Sequence, residues 1–299
     1  MKYTGPVYRP PFEANSLLLQ VTVGCSYNKC SFCTMYSNVP FQIETMEQIE
    51  KDLLEARKVY PEVNRIFLVN ADPFALSADK LKLIAKKINE ILPEVETIAM
   101  YASVKNIINK TDDELKELRV LKINDLNIGL ESGMPEVVKH FNKGFTVDEA
   151  KAQLKRLTNA GIDFSVNIII GGAGSEKTHE NAIANSKLLN EINPKLIFIA
   201  TLHVDSGSPL DEELNKGLFK ETTLRQNIEE EIEILSGLNL DNTYFFGLHT
   251  SNVIPVHGIL PEKKDEMIAT LKDGLNSIRV GYLDGHLKKG AEGTISILR

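Results

Sequence analysis

The sequence predicts an α/β protein built from six consecutive strand–helix units. Three observations carry this. Short apolar, β-branched runs recur from Leu17 onward, as in strands covered on both faces by helices. Amphipathic stretches with recognisable starts and stops lie between them. The spacing between runs is long enough for the crossovers that parallel strands require. The composition, 42% hydrophobic and 25% charged over 299 residues, is that of an ordinary globular chain. A chain this long buries enough surface to fold without disulfides.

The expected strands are residues 17–23, 65–70, 97–101, 126–130, 164–170 and 196–202. Ser77 precedes Ala-Asp-Lys-Leu as a helix cap. Thr111 with Glu114, and Thr146 with Glu149, have the spacing of a capping box. Asn159-Ala-Gly161 supplies a glycine stop. The sixth unit ends near Asn215. A helix over about residues 223–238 follows, then an irregular segment, 244–260, and a last helix from about Pro261. No repeat or flexible linker is visible. Residues 15–215 therefore form a core, and 216–299 an extension of the same domain. Two architectures fit six such units, an open doubly wound sheet and a partial barrel.

The net charge is −7 and no block of Lys or Arg occurs, so binding to nucleic acid through general basicity is not expected. The opening residues hold two consecutive prolines and no apolar core of a signal peptide. No run approaches the ~18 apolar residues of a membrane span. The expected compartment is the cytoplasm. Thiols stay reduced there, and three cysteines within nine residues read as a metal site rather than a disulfide framework.

That site is Gly24-Cys25-Ser-Tyr-Asn-Lys-Cys30-Ser-Phe-Cys33, just after the first strand. In α/β proteins, sites form at the C-terminal ends of parallel strands. A structural zinc ion wants four ligands. The chain has no fourth cysteine, and the histidine closest in sequence is His140. A dithiol redox pair would use Cys30 and Cys33 but leave Cys25 idle. Three idle cysteines fit poorly in so polar a loop. A [4Fe–4S] cubane held by three thiolates keeps one iron open for a ligand.

The loop resembles the CxxxCxΦC signature of the radical S-adenosylmethionine (SAM) superfamily, with Phe32 at the aromatic position that lies against adenine. It departs from that pattern by having four residues, not three, between Cys25 and Cys30. The resemblance implies a (βα)6 partial TIM barrel with a C-terminal extension capping it. It also implies a [4Fe–4S] cluster on Cys25, Cys30 and Cys33, and S-adenosyl-L-methionine bound to the open iron. Reductive cleavage would then give methionine and a 5′-deoxyadenosyl radical that takes hydrogen from a substrate. An oxygen-sensitive cluster of this kind implies anaerobic handling and a reductant such as flavodoxin or ferredoxin.

The resemblance continues strand by strand. Asn70-Ala71-Asp72 stands where the superfamily has a Gly-Gly-Glu-like motif receiving the SAM ammonium; alternatively, Asp72-Pro73 only opens a turn. Ser103 follows the third strand and is a possible SAM contact. Glu131-Ser132-Gly133, with Lys143 further on, is similar to the stretch whose glutamate binds the SAM ribose. Lys143 either pairs with the SAM carboxylate or is a solvated helix-end lysine. Asn167, Gly171 and Gly172 match the segment beside adenine, and Leu202 opens a turn similar to the sixth-strand motif.

His249, His203 and Tyr101 are the candidates to act on the substrate, with Ser251 and Asn252 beside His249. A structural histidine in a strand-like run is the plainer account of His249. The chain resembles the small single-cluster proteins often labelled coproporphyrinogen oxidase-like. It has Thr34-Met35-Tyr36 where genuine coproporphyrinogen oxidases carry another cysteine, so that label is rejected. Three cysteines also exclude subfamilies with auxiliary clusters. The expected substrate is a small molecule or otherwise unidentified. The alternative to an enzyme is a non-catalytic Fe–S or metal-binding scaffold module.

Overall fold

The computed structural model describes residues 1–287. The chain opens with β1 (Leu17–Gln20), β2 (Thr22–Val23), β3 (Gln42–Ile43) and α1 (Met46–Val59). There follow β4 (Arg65–Val69), α2 (Ala78–Ile91), β5 (Thr97–Ala102), α3 (Val104–Ile108), α4 (Asp112–Val120) and β6 (Ile123–Glu131). Next come α5 (Pro135–His140), α6 (Val147–Asn159), β7 (Phe164–Ile170), α7 (Thr178–Ile192), β8 (Leu196–Thr201) and α8 (Pro209–Asn215). The chain closes with α9 (Leu224–Gly237), β9 (Thr243–Phe246), β10 (His257–Leu260), α10 (Lys264–Ser277) and α11 (Val280–Leu283).

Eight strands form one sheet in the order β1-β4-β5-β6-β7-β8-β9-β10. β1, β4, β5 and β6 pair in parallel, as do β8 and β9, while β10 runs antiparallel to β9. The caps read from sequence form as expected. Ser77 accepts from the Lys80 N–H, and Thr111 and Glu114 complete a capping box. Thr146 and Glu149 exchange bonds of 2.7 and 3.2 Å, satisfying donors that the first helical turn leaves free.

Three expectations need correction. The first run breaks at Val21: β1 pairs with β4, whereas Thr22–Val23 turns away to pair antiparallel with β3. The segment read as irregular holds a strand pair, because Thr243–Phe246 adds to the edge of β8 and His257–Leu260 pairs with it in turn. The last helix starts at Lys264, since Pro261 opens a turn closed by the Lys264 N–H at 3.1 Å.

The chain divides into two compact units. The first comprises Met1–Asn28, Asn38–Gly129 and Ala152–Ser165. Its core includes Phe67, Val69 and Ala99, against which Tyr101 packs edge-on with ring centroids 5.1 Å apart. Arg65 bridges two buried carboxylates, Glu13 at 2.5 Å and Asp125 at 2.6 Å, so neither is buried unpaired.

The second unit comprises Lys29–Ser37, Leu130–Lys151 and Val166–Arg299, of which 288–299 lie outside the described residues. Met134, Val137, Phe141, Leu202, Val204, Leu210 and Phe219 form one of its apolar clusters. No helix among the described residues is long and apolar enough to cross a membrane.

α9 buries an unusual residue. Glu231 is 3% exposed, one of its oxygens has no hydrogen-bond partner, and burial pushes its pKa up to about 8. The native state therefore holds this proton more tightly than the unfolded chain. The associated stability is complete below the ordinary carboxylate range and is lost as pH rises toward about 8. Glu231→Gln should match the parent at pH ~5 and exceed it by roughly 2–4 kcal/mol at pH ~9 in denaturant titrations. Equal stability at both pH values would refute this account of Glu231.

Candidate functional site

In the first unit, the loop after β2 begins at Gly24, whose φ is +75°. A Cβ there would lie 2.9 Å from the Val39 carbonyl oxygen, so only glycine fits this turn. Cys25 is half-buried, and its Sγ accepts the Asn28 N–H at 3.3 Å. Ser26 donates its hydroxyl to Asp72 Oδ2. Asp72 is 3% exposed, and its Oδ1 has no hydrogen-bond partner. Burial raises its pKa to about 6, against the opposing pull of the Ser26 hydroxyl and the Lys110 ammonium. Lys110 is itself buried and donates to the carbonyls of Phe74, Leu76 and Asn106 at 2.7, 3.0 and 3.3 Å. Burial lowers it to about 8.

Asn70 adopts φ +74°, a conformation Asn tolerates better than most residues, and its side chain donates to the Thr22 carbonyl at 2.9 Å. Asn70 thus takes up a left-handed backbone that glycine adopts at no steric cost. Ala71 is half-buried beside it. Ser103 caps α3, its hydroxyl accepting the Asn106 N–H at 3.3 Å. Thr22 Oγ1 and Asn127 Oδ1 are also buried without a hydrogen-bond partner. Sequence reasoning missed both. For Asn127 a signal was available, a polar amide between Leu126 and Ile128.

In the second unit, the loop Lys29–Ser37 is pinned by backbone and hydroxyl bonds. The Ser31 N–H donates to the Phe141 carbonyl at 3.0 Å, and its hydroxyl to that of His140 at 2.8 Å. The N–H and hydroxyl of Thr34 both reach Asp205 Oδ2, at 3.1 and 2.8 Å. Cys30 and Cys33 are half-buried and share one turn, the Cys33 N–H lying 3.4 Å from the Cys30 carbonyl. Burial pushes the Cys33 thiol up to about 11, although a Met35 backbone bond and the Lys143 charge oppose it. A bound metal would therefore have to displace its proton. Among the described residues, no three His, Cys, Asp or Glu side chains already converge as a metal site.

Phe32 packs on Phe141 at 4.6 Å between centroids, and Lys143 Nζ sits 5.8 Å over the Phe32 ring. Glu131 ends β6 at φ +68° and pairs with Lys143 at 2.7 Å, the two side chains being 9% and 11% exposed. Lys143 is thus no solvated helix-end lysine. Burial alone would depress it, but Glu131 and the nearby Cys30 and Cys33 sulfurs outweigh burial and raise it. Gly133 has no room for a side chain: a Cβ would meet the Ala184 carbonyl oxygen at 2.3 Å.

On β7, Asn167 is half-buried between fully buried Val166 and Ile168, so it faces the opposite side of the sheet. The space beside Gly171 is filled by Thr222 and Asn227, and that beside Gly172 by Phe141. Leu202 lies inside the apolar cluster with Phe141, its N–H bonded to the Ile170 carbonyl.

His203 contacts Asp205 at 3.3 Å. His249 Nδ1 receives the Ser251 N–H at 3.3 Å and lies 2.6 Å from the Ser251 hydroxyl. Its neutral ring therefore carries hydrogen on Nε2. Burial lowers its pKa, which favours that neutral form. Asn252 ties this loop to β8, accepting from the Thr201 N–H and donating to the Ile199 carbonyl. Ser251 likewise accepts from the Thr201 N–H. Ser251 and Asn252 are thus committed to holding the loop.

A family model described as the radical SAM superfamily matches residues 19–184, more than half of the chain. No curated protein matches it. Among solved structures, the chain is similar to methylornithine synthase (PylB), with 16% identity, TM-score 0.54, and coverage of 76% of this chain and 64% of that one. It is also similar to the radical S-adenosylmethionine methyltransferase TsrM from Kitasatospora setae, solved with cobalamin and a [4Fe-4S] cluster bound. There the identity is 15%, the TM-score 0.54, and the coverage 68% and 39%. Coproporphyrinogen III oxidase (HemN) from Escherichia coli, a radical SAM enzyme, gives 18%, 0.51, and 74% and 50%.

The chain thus spans less than two thirds of each of these proteins. Likeness at such identities shows the fold, which is α/β of the partial TIM-barrel class. Members of the matching superfamily use a [4Fe–4S] cluster and SAM. The chain belongs to the radical SAM superfamily.

Proposed function

We propose that the chain is a radical SAM enzyme in which Cys25, Cys30 and Cys33 hold a single [4Fe–4S] cluster. The three-cysteine loop after β2, in a chain matched by the superfamily model over residues 19–184, carries this reading. The donor set fits such a group. All three cysteines are half-buried, and backbone N–H groups point at Cys25 and Cys33, as tuning donors do around cluster sulfurs. When bound, the cluster supplies the electron that splits SAM into methionine and a 5′-deoxyadenosyl radical, which takes a hydrogen atom from the substrate.

The protein's own groups then have separate tasks. Asp72, with one buried oxygen unpartnered, accepts the SAM ammonium. Glu131 accepts the ribose hydroxyls, and Lys143 offsets its charge while placing a cation beside Cys30 and Cys33. Phe32 presents its ring to adenine. Asn70, Ala71, Ser103, Asn167, Gly171, Gly172 and Leu202 shape the surrounding backbone and side-chain walls. His249 acts on substrate as a neutral Nε2–H donor, with His203 and Tyr101 as further candidates. The substrate is a small molecule or otherwise unidentified, and a reductant such as flavodoxin or ferredoxin supplies the electron.

Anaerobic reconstitution tests the ligand set. The chain should take up about four irons with matching sulfide and lose them on exposure to air. Zinc bound in place of iron would defeat the proposal. An intact cluster that never turns over SAM would favour a scaffold module instead.

A further inference from the structure

Glu230 lies on α9, beyond the residues that the superfamily model matches. It is 1% exposed, and both of its oxygens are engaged. Oε2 accepts the Gly171 N–H at 3.0 Å, and Oε1 accepts the Asn181 amide at 2.6 Å. Asn181, on α7, is fully buried; its own Oδ1 accepts the Ser132 hydroxyl at 2.6 Å. The Ser132 oxygen in turn accepts the Met134 N–H at 2.9 Å. Gly171 and Ser132 are the first residues after β7 and β6. One carboxyl from the C-terminal segment therefore reaches two separate turns, one directly and one through a single amide.

Packing alone does not account for this residue. An apolar side chain would fill the α7–α9 contact without the desolvation that Glu230 suffers, and burial lifts its pKa to about 8. The turn it holds has little freedom on the far side. Gly171 sits at φ +79°, and a Cβ there would come within 2.6 Å of Thr222 Oγ1 and 3.0 Å of Asn227 Oδ1. The Ser132 turn is fixed as tightly, since the Gly133 N–H donates to Asn185 Oδ1 at 2.6 Å.

We infer that Glu230 is a positioning residue for SAM, setting the backbone after β7 and, through Asn181 and Ser132, the backbone that carries Glu131. The inference rests on the proposed reading of these turns as SAM-binding. Glu230 touches no cofactor atom. It acts by directing the Gly171 amide and fixing the residue next to Glu131, so its loss loosens SAM without removing a ligand of the cluster. Glu230→Gln keeps an acceptor for Gly171, and the Asn181 amide can turn over to accept from the new NH2 group while donating to the Ser132 oxygen instead of accepting from it.

The test uses the reconstituted full chain and three readouts: iron content, SAM affinity by equilibrium dialysis, and hydrogen exchange of residues 166–174. Glu230→Ala should retain its iron, weaken SAM binding about 10- to 100-fold, as expected when buried amide donors lose their acceptor, and speed exchange in that segment. Glu230→Gln should restore most of both. If Glu230→Ala does not fold, Asn181→Leu cuts the same chain and should weaken SAM in the same direction. Parent-like SAM affinity in Glu230→Ala, or in Asn181→Leu should that be needed, overturns the inference while leaving the proposed function intact. Failure of the parent to bind SAM overturns the proposed function, and the inference with it.

Discussion

Cys30→Ala is expected to abolish the cluster and SAM cleavage together while leaving the fold intact. The chain has only three cysteines, so no spare thiolate can replace a lost ligand. Two remaining ligands cannot hold a cubane that already lacks a fourth protein ligand. The loop has anchors besides the Cys30 sulfur. It is held by the Ser31 N–H on Phe141, the Ser31 hydroxyl on His140, and the Leu210 N–H on the Ser31 carbonyl. Thermal denaturation of the unreconstituted variant should therefore follow the parent. Iron per chain should fall from about four to below about one after reconstitution. Parent-like iron in Cys30→Ala would remove it from the ligand set.

Lys143→Met is expected to destabilise the chain by about 3 kcal/mol, because it leaves the buried Glu131 carboxylate without its partner. The size follows from burial: both side chains are largely withdrawn from water, so solvent cannot screen the unpaired charge. Glu131→Gln combined with Lys143→Met should recover most of the loss, as a double-mutant cycle would register. A second effect should survive in that double variant. The Lys143 charge lowers the Cys33 thiol pKa against the stronger push of burial. Without it the thiol rises further, and iron loading should need a higher pH than in the parent. Loading that follows the parent's pH curve would show that Lys143 plays no part in preparing the thiolate.

The strands were readable because their apolar residues are consecutive, and β7 was bounded to the residue. The capping boxes at Thr111 and Thr146 were readable because the bonds they make span only three positions. The β9–β10 pair was not. Its strands are four residues each and owe their order to tertiary pairing, β9 on β8 and β10 on β9. The short helices α3 and α5 escaped for a similar reason, being too brief to show a 3.6-residue period. At the candidate site, the cysteine loop was legible from its spacing, and Asp72, Glu131 and Lys143 from their likeness to the superfamily's motifs.

Glu230, Asn181 and Asn185 did not stand out. On a helix they look like solvent-facing residues, and only tertiary packing turns them inward. The Glu131–Lys143 pairing also needed coordinates, since the two residues lie twelve positions apart on different elements. Gly171 shows the opposite case. It suggested room for a ligand, but the space next to its Cα is occupied by Thr222 and Asn227 from the C-terminal segment.

The most direct test of the central claim is the product of SAM under reduction. The anaerobically reconstituted chain, given dithionite and SAM, should form 5′-deoxyadenosine and methionine in equal amounts, and Cys30→Ala should form neither. A chain loaded with its four irons that leaves SAM intact under these conditions would contradict the account.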